Sequence, residues 1–216
     1  MVQKNLASVP AVRGRPRSFN TDEVLARVRD TFWRYGYAGT SMDQLSVATG
    51  LHKPSLYGAF GDKKRLYLAA LDNYLAQVRA DFAEAFALPT LTESLYAVTE
   101  RSIEKYTGES EGGTGCFMMN TAMPEAAEDP EISRVVRESM DGLDRALFRR
   151  FQKAIDAGEL PQSADPQALA MILVANNYEL SARARAGYSR AELRVLADRA
   201  LDLVRRIAGA PAGEGR

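Results

Sequence analysis

The chain of 216 residues holds one histidine, His52, and one cysteine, Cys116. A catalytic nucleophile needs a base beside it, and a structural metal needs several imidazole or thiolate ligands. No serine–histidine, cysteine–histidine or paired-carboxylate arrangement is supported, so catalysis, a bound metal and a cofactor are not expected. A lone cysteine also excludes an intrachain disulfide and fits a reducing compartment. What the side chains do offer is hydrogen-bond donation toward anions and base edges. His52, Lys53, Ser55, Tyr57 and Gly58 fall at the start or on the outer side of one short segment. Lysine can donate to guanine O6 or N7, and a serine hydroxyl to a base edge or a phosphate. His52 contacts DNA or faces solvent. Upstream, Arg13, Arg15 and Arg17 alternate in an arm punctuated by Pro10, Gly14 and Pro16. Such an arm suits a minor groove or a phosphate track.

These donors need a scaffold, and the stretch from Thr40 to Phe60 predicts it: two short helices joined at Gly50. Thr40 is expected to cap the first, with Asp43 as the capping-box acid. Met42, Leu45 and Val47–Ala48 give it an apolar face. Gly50 can take the left-handed conformation of a sharp turn. Pro54 suits the first turn of the second helix, while Leu56, Ala59 and Phe60 point to the core. This is a helix-turn-helix pattern. Before it, Asn20 with Glu23 predicts a helix start. Val24, Leu25, Val28, Thr31, Phe32 and Tyr35 are its expected buried face, and Gly36 its end. Trp33 belongs at the core edge.

Charge follows the same division. Residues 1–66 carry eleven Lys and Arg against five Asp and Glu, a net of +6; the remainder carries seventeen against twenty-three, a net of −6. A basic end on an acidic body suits a nucleic-acid module joined to something that avoids DNA. An apolar content of 46% argues against disorder. With no apolar run near the ~20 residues of a membrane span and no signal-peptide core, a cytoplasmic protein with no membrane partner is expected.

From Gly14 to Leu75 the sequence resembles the TetR family of transcriptional regulators. The matching features are the GRP lead-in, the F-x-x-x-G-Y-x-x-T-S junction, the S-L-Y-x-x-F reader and the lysine that follows. The resemblance implies an all-α fold: an N-terminal three-helix helix-turn-helix domain joined by a long helix to a C-terminal ligand-binding and dimerisation domain. It implies that Thr40 and Lys63 meet phosphates and that the Tyr57 hydroxyl meets the DNA backbone. Residues 1–19 are then a flexible basic arm, 20–66 the DNA-binding domain, 67–208 the body and 209–216 a loose tail. Gly58 and Ala59 stand where family members often carry larger side chains, so reading leans on Lys53, Ser55, the arm and DNA shape.

In the body, apolar periodicity predicts a helix of about 25 residues from Asp62 toward Pro89, roughly 38 Å long, and another over Leu91–Thr107. Gly108–Gly115 reads as a flexible loop without the spacing of a phosphate cradle. Cys116–Met123 reads as a short apolar helix, and its GCFMMNTA run resembles an element of one TetR subgroup. Further helices are expected from Asp129 to about Ala157, from Asp165 to about Ala186, and from the Ser189/Glu192 capping box to about Ile207. The last two, within 165–207, carry wide apolar surfaces, and the resemblance implies a homodimer through that pair. Candidate ligand contacts are Tyr74, Phe82, Tyr106, Cys116, Phe117, Met119, Asn120, Met123, Phe151, Asn176, Asn177, Tyr178 and Glu179. They suggest a mostly apolar small molecule.

The expected function is thus a dimeric repressor on a near-palindromic double-stranded operator, released by an inducer. One alternative is an inducer-independent or activator-type regulator. Another, implied by the GC…NTA resemblance, is an electrophile or oxidant sensor acting through Cys116. A helix N-terminus would lower its thiol pKa, while the acids Glu109, Glu111 and Glu125 and the absence of a nearby cation give a thiolate no help, and Met118 and Met119 suggest plain apolar packing.

Overall fold

A computed structural model describes residues 19–108 and 113–209; Arg13, Arg15 and Arg17 lie outside the described residues, as do 210–216 of the expected tail. Among the described residues there are eight α-helices. The first, α1 (Thr21–Gly39), is capped by the Asn20 side chain, which accepts from the amides of Asp22 and Glu23. Gly36 breaks it with φ 74° and ψ 168°, yet the chain turns helically for three more residues. The expected end at Gly36 is therefore a kink. The kink also corrects the buried face: Tyr35 is 47% exposed, and Tyr37 beyond the break takes the inner place, its ring 5.9 Å from Phe32 and 4.9 Å from Tyr67.

The second helix, α2 (Met42–Thr49), starts one residue later than expected. Ser41 caps it and Gln44 completes the capping box, because the Thr40 hydroxyl is spent on the Gly36 carbonyl at 2.6 Å. Leu45 and Thr49 are buried one turn apart, while Val47, expected inside, is 84% exposed. Gly50 closes the turn at φ 70°, as expected, and the Ser46 hydroxyl donates to the Leu51 carbonyl across it. Next comes α3 (Lys53–Phe60), with Pro54 in its first turn and Leu56 fully buried.

The long helix α4 (Lys63–Phe86) is capped by Asp62 and runs from the three-helix bundle into the body. Its first half carries Leu66, Tyr67 and Leu71, all fully buried, against α1. The body adds α5 (Leu91–Thr107), α6 (Pro130–Asp156), α7 (Pro166–Arg185) and α8 (Arg190–Ile207). Thr90/Glu93 and Ser189/Glu192 form capping boxes for α5 and α8. Asp129 and Asp165 cap α6 and α7, each followed by proline in the first turn. Helix α7 packs against α5, α6 and α8. One apolar cluster runs without a break from Leu56 and Leu66 through Phe117 to Leu193, so the two halves share a core.

The α5–α6 connection departs from expectation. Met118–Ala122 is a π-helical turn, with the Met123 amide donating to the Met118 carbonyl at 3.1 Å. A 3₁₀ turn at Glu125–Ala127 follows Pro124, which cannot donate to continue the ladder. The end of the glycine run is seated. At Gly115 (φ 66°) a Cβ would meet the Ser181 carbonyl at 2.7 Å, and at Gly113 the Ala184 carbonyl at 2.4 Å. These glycines let the backbone lie directly on α7.

Candidate functional site

On the DNA-facing end, α3 turns His52, Ser55, Tyr57 and Gly58 outward, with Tyr57 48% exposed. The Lys53 ammonium pairs with Asp43 at 2.6 Å, both side chains largely open to solvent. Such a pair is weak and exchangeable for a phosphate or base acceptor. Lys63 is held more firmly: its Nζ donates to the Thr40 carbonyl at 2.8 Å and lies 4.5 Å over the Tyr37 ring. Thr40 itself is 2% exposed. Its buried hydroxyl does not face outward, which corrects its reading as a cap and phosphate ligand; the exposed hydroxyl at this helix start is that of Ser41.

The body encloses a cavity of about 840 Å³ between α4, α5, α6 and α7. Of the expected contacts, Tyr74, Phe82, Tyr106, Cys116, Asn177 and Tyr178 line it. Phe117 does not: it is wedged between Trp33, Tyr67 and Tyr74 at ring distances of 5.4, 6.0 and 5.5 Å. Phe151 is fully buried in a separate cluster around Leu147 and Leu169. Met119 and Met123 pack against the main core, and Asn120 donates to the Thr114 carbonyl. Asn176 borders a small gap beside Leu95 and Leu173, and Glu179 is exposed and pairs with Arg183. The sequence reading missed the polar wall: Arg145, Arg149, Arg150 and Lys153 of α6, with Arg79 and Lys105 opposite. The RRFQK run of α6 carried that signal, since arginines flanking an apolar stripe can border a cleft as well as solvent.

At the inner end of the cavity the Tyr74 hydroxyl donates to Cys116 Sγ at 3.6 Å, and Asn177 donates to the Tyr106 hydroxyl at 2.9 Å. Burial pushes the phenols of Tyr74 and Tyr106 well above their ordinary range and Tyr178 up to about 12, so all three remain protonated donors at neutral pH. Burial likewise pushes the Cys116 thiol up, against weaker opposing hydrogen bonds from Met119, Tyr74 and Met118. That direction is opposite to the lowering expected from a helix start.

Two contacts tie the cavity to the DNA-facing bundle. Trp33 of α1 donates to the Thr114 carbonyl at 2.9 Å, its ring edge-on to the cavity residue Tyr74 at 5.6 Å. Lys64, on the first turn of α4, bridges Asp129 at 2.6 Å and Glu131 at 3.1 Å. Among the described residues no group of three or more His, Cys, Asp or Glu could hold a metal, and no described helix is long and apolar enough to cross a membrane.

Comparison with known proteins matches residues 24–70 to a family described as bacterial regulatory proteins, tetR family, and residues 92–202 to one described as tetracyclin repressor-like, C-terminal domain. The chain is 29% identical over 204 residues to the HTH-type transcriptional repressor ComR of Escherichia coli (strain K12), spanning 94% of this chain and 97% of that one. It is 31% identical over 162 residues to the uncharacterized HTH-type transcriptional regulator YezE of Bacillus subtilis (strain 168), spanning 74% and 83%. Among solved structures it is similar to a cysteine mutant of the TetR family regulator CifR complexed with 26-bp double-strand operator DNA. There the TM-score is 0.78 and the identity 29%, over 87% of this chain and 98% of that one.

Proposed function

The chain belongs to the TetR family of DNA-binding transcriptional regulators, and from that premise we propose that it is a homodimeric repressor, released from a near-palindromic operator when a small molecule occupies the cavity. One observation carries the reading: the cavity and the reader share a single rod. Tyr74 and Phe82 on α4 line the cavity, and the same helix begins at Lys63, beside the reader; Trp33 of α1 packs on it at Tyr74, and Lys64 ties its first turn to Asp129. An occupant that shifts α4 must therefore shift the bundle that holds α3. Release is a difference in affinity between two arrangements of one chain, not a chemical step.

On this reading Lys53 and Ser55 meet base edges, while Tyr57 and Lys63 meet phosphates. The dimer forms where α7 and α8 present Met171, Leu203 and Ile207, which are 63%, 51% and 55% exposed. ComR and BdcR, two relatives named as repressors, favour repression over activation.

Gel-shift titration at several salt concentrations, on a duplex selected from a random pool, tests the docking. Lys53→Ala should flatten the preference among duplex variants. Lys63→Ala should weaken all duplexes alike and reduce the salt slope by about 1. Unchanged affinity and slope in both variants would remove the proposed interface.

A further inference from the structure

Arg150 is 3% exposed and lies in the cavity wall on α6. Its Nε donates to the Ser94 hydroxyl at 2.8 Å. Its two terminal nitrogens, shielded from solvent, find no hydrogen-bond partner among the described residues. The one carboxylate near it, Glu159, stands 3.6 Å from Nη2, and its other oxygen accepts the Leu91 amide at the start of α5. Glu159 therefore offsets charge without satisfying the fork. A guanidinium cannot discharge itself by losing a proton, and a buried donor left unmet is costly. The group that meets such a fork best is a planar carboxylate, which accepts two parallel hydrogen bonds.

The surroundings agree. Arg149 and Lys153 share this wall and add attraction at the distal end of the cavity. Phe82 and Phe86, edge to face at 6.2 Å, supply an apolar surface. At the other end stand the protonated hydroxyl of Tyr74 and the fully buried hydroxyl of Ser102, which lies beside the Tyr106 phenol. Ser94 and Ser102 lie eight residues apart on α5, about 12 Å along its axis. The cavity thus offers cations around Arg150, an apolar surface at Phe82 and Phe86 and hydroxyls at Tyr74 and Ser102, while its carboxylates Asp72, Glu131 and Glu138 lie on other stretches of α4 and α6, Asp72 paired with Arg79 and Glu131 with Lys64.

We propose that the cavity takes a small carboxylic acid with an apolar or aromatic body, its carboxylate on Arg150 and its far end toward Tyr74 and Ser102. The assignment rests on the cavity being the inducer site and adds the class of inducer.

The test uses a matched soluble pair, 4-phenylbutyrate and 4-phenyl-1-butanol, in calorimetric titration of the full chain. The acid should bind at least about tenfold tighter than the alcohol, and Arg150→Met should erase that ratio while leaving the alcohol unchanged. The ratio in the unmutated protein needs no variant to fold. Leu143→Trp, which fills the cavity, should abolish binding of both. Equal binding of acid and alcohol, both blocked by Leu143→Trp, overturns the carboxylate assignment and leaves the cavity as a neutral ligand's site. A preference for the acid that survives Arg150→Met overturns the role of Arg150. Binding of neither compound, or binding untouched by Leu143→Trp, overturns this assignment and counts against the inducer reading as well.

Discussion

Around Phe32 the helices close on one another: its ring is fully buried, 5.0 Å edge-on from Tyr67, with Leu45, Leu56 and Leu66 all at zero exposure nearby in the same core. Around Phe82, four turns farther along α4, the same rod looks onto about 840 Å³ of space. The DNA-facing bundle is built from two eight-residue helices and a kinked one, and needs every contact to hold a shape. The body is built from helices of 17 to 27 residues, whose long contacts tolerate a gap. A filled unit moves as a piece, because its packing has no second arrangement nearby, whereas a gapped one has room for an occupant to change it. The division of labour between reading and sensing is thus a division of packing.

The sharpest way to break this comparison is to truncate one ring in each setting. Phe32→Ala removes a fully buried ring of the bundle held by Tyr37 and Tyr67 and should cost about 3–5 kcal/mol. Phe82→Ala removes a ring that already borders open space and should cost less, about 1–2 kcal/mol. Urea denaturation of both variants reads the difference, and equal losses would mean that the body is as tightly filled as the bundle.

A smaller effect sharpens the account of the body's outer surface. Leu201, within the 165–207 pair expected to form the dimer, is 4% exposed within one chain and belongs to an internal cluster. Charge there would unfold the body. Leu203→Arg, half exposed, should instead leave the fold intact and weaken self-association by about a hundredfold, since two such charges would meet across a two-fold axis. Sedimentation at micromolar concentration checks it. A dimer unaffected by Leu203→Arg would move the interface elsewhere.

The smallest effect concerns the bridge between the regions. The Lys64 ammonium holds the Asp129 carboxyl below its usual range, and Asp129 with Glu131 holds Lys64 above its own. A depressed carboxylate contributes stability that is present above its unfolded pKa and lost as pH falls through the folded one. The raised lysine contributes below its unfolded pKa and until pH passes its folded value. The bridge should therefore persist across neutral pH and fail in acid, where Asp129 is protonated, and in strong base, where Lys64 loses its proton. Lys64→Gln should leave stability near neutrality almost unchanged, the pair being exposed, while altering how strongly a cavity ligand weakens operator binding. Ligand coupling identical to that of the unmutated chain would show the bridge to be incidental.

The same contrast explains what could be read from the sequence. The reader was legible because its determinants are local: Gly50, Pro54 and Leu56 act within a few residues, and Asn20, Thr90 and Ser189 announce helix starts by their own spacing. The errors there were one-residue matters. Thr40 and Ser41 are both competent caps, and the Gly36 carbonyl, four residues back at the kink, decides between them. The cavity was legible in part, because its wall is assembled from four helices separated by up to a hundred residues. Tyr74 and Tyr106 reach it, but Phe117 and Phe151 have the same composition and face solid core. Arg150 could not be singled out from Arg149, since apolar periodicity alone does not say which of two adjacent cations turns inward.

Trp33 gives the molecule an optical gauge. It is the chain's one tryptophan, so its emission is uncontaminated by any other indole. Its ring nitrogen donates to a carbonyl of the α5–α6 connection and its ring packs against Tyr74 and Phe117, at the joint between the two regions. Any displacement of α4 against α1 must change the polarity or quenching that this indole senses. Unlabelled protein in a cuvette therefore carries its own readout of the joint, and stopped-flow mixing can time the shift of the bundle separately from the arrival of a ligand at Arg150.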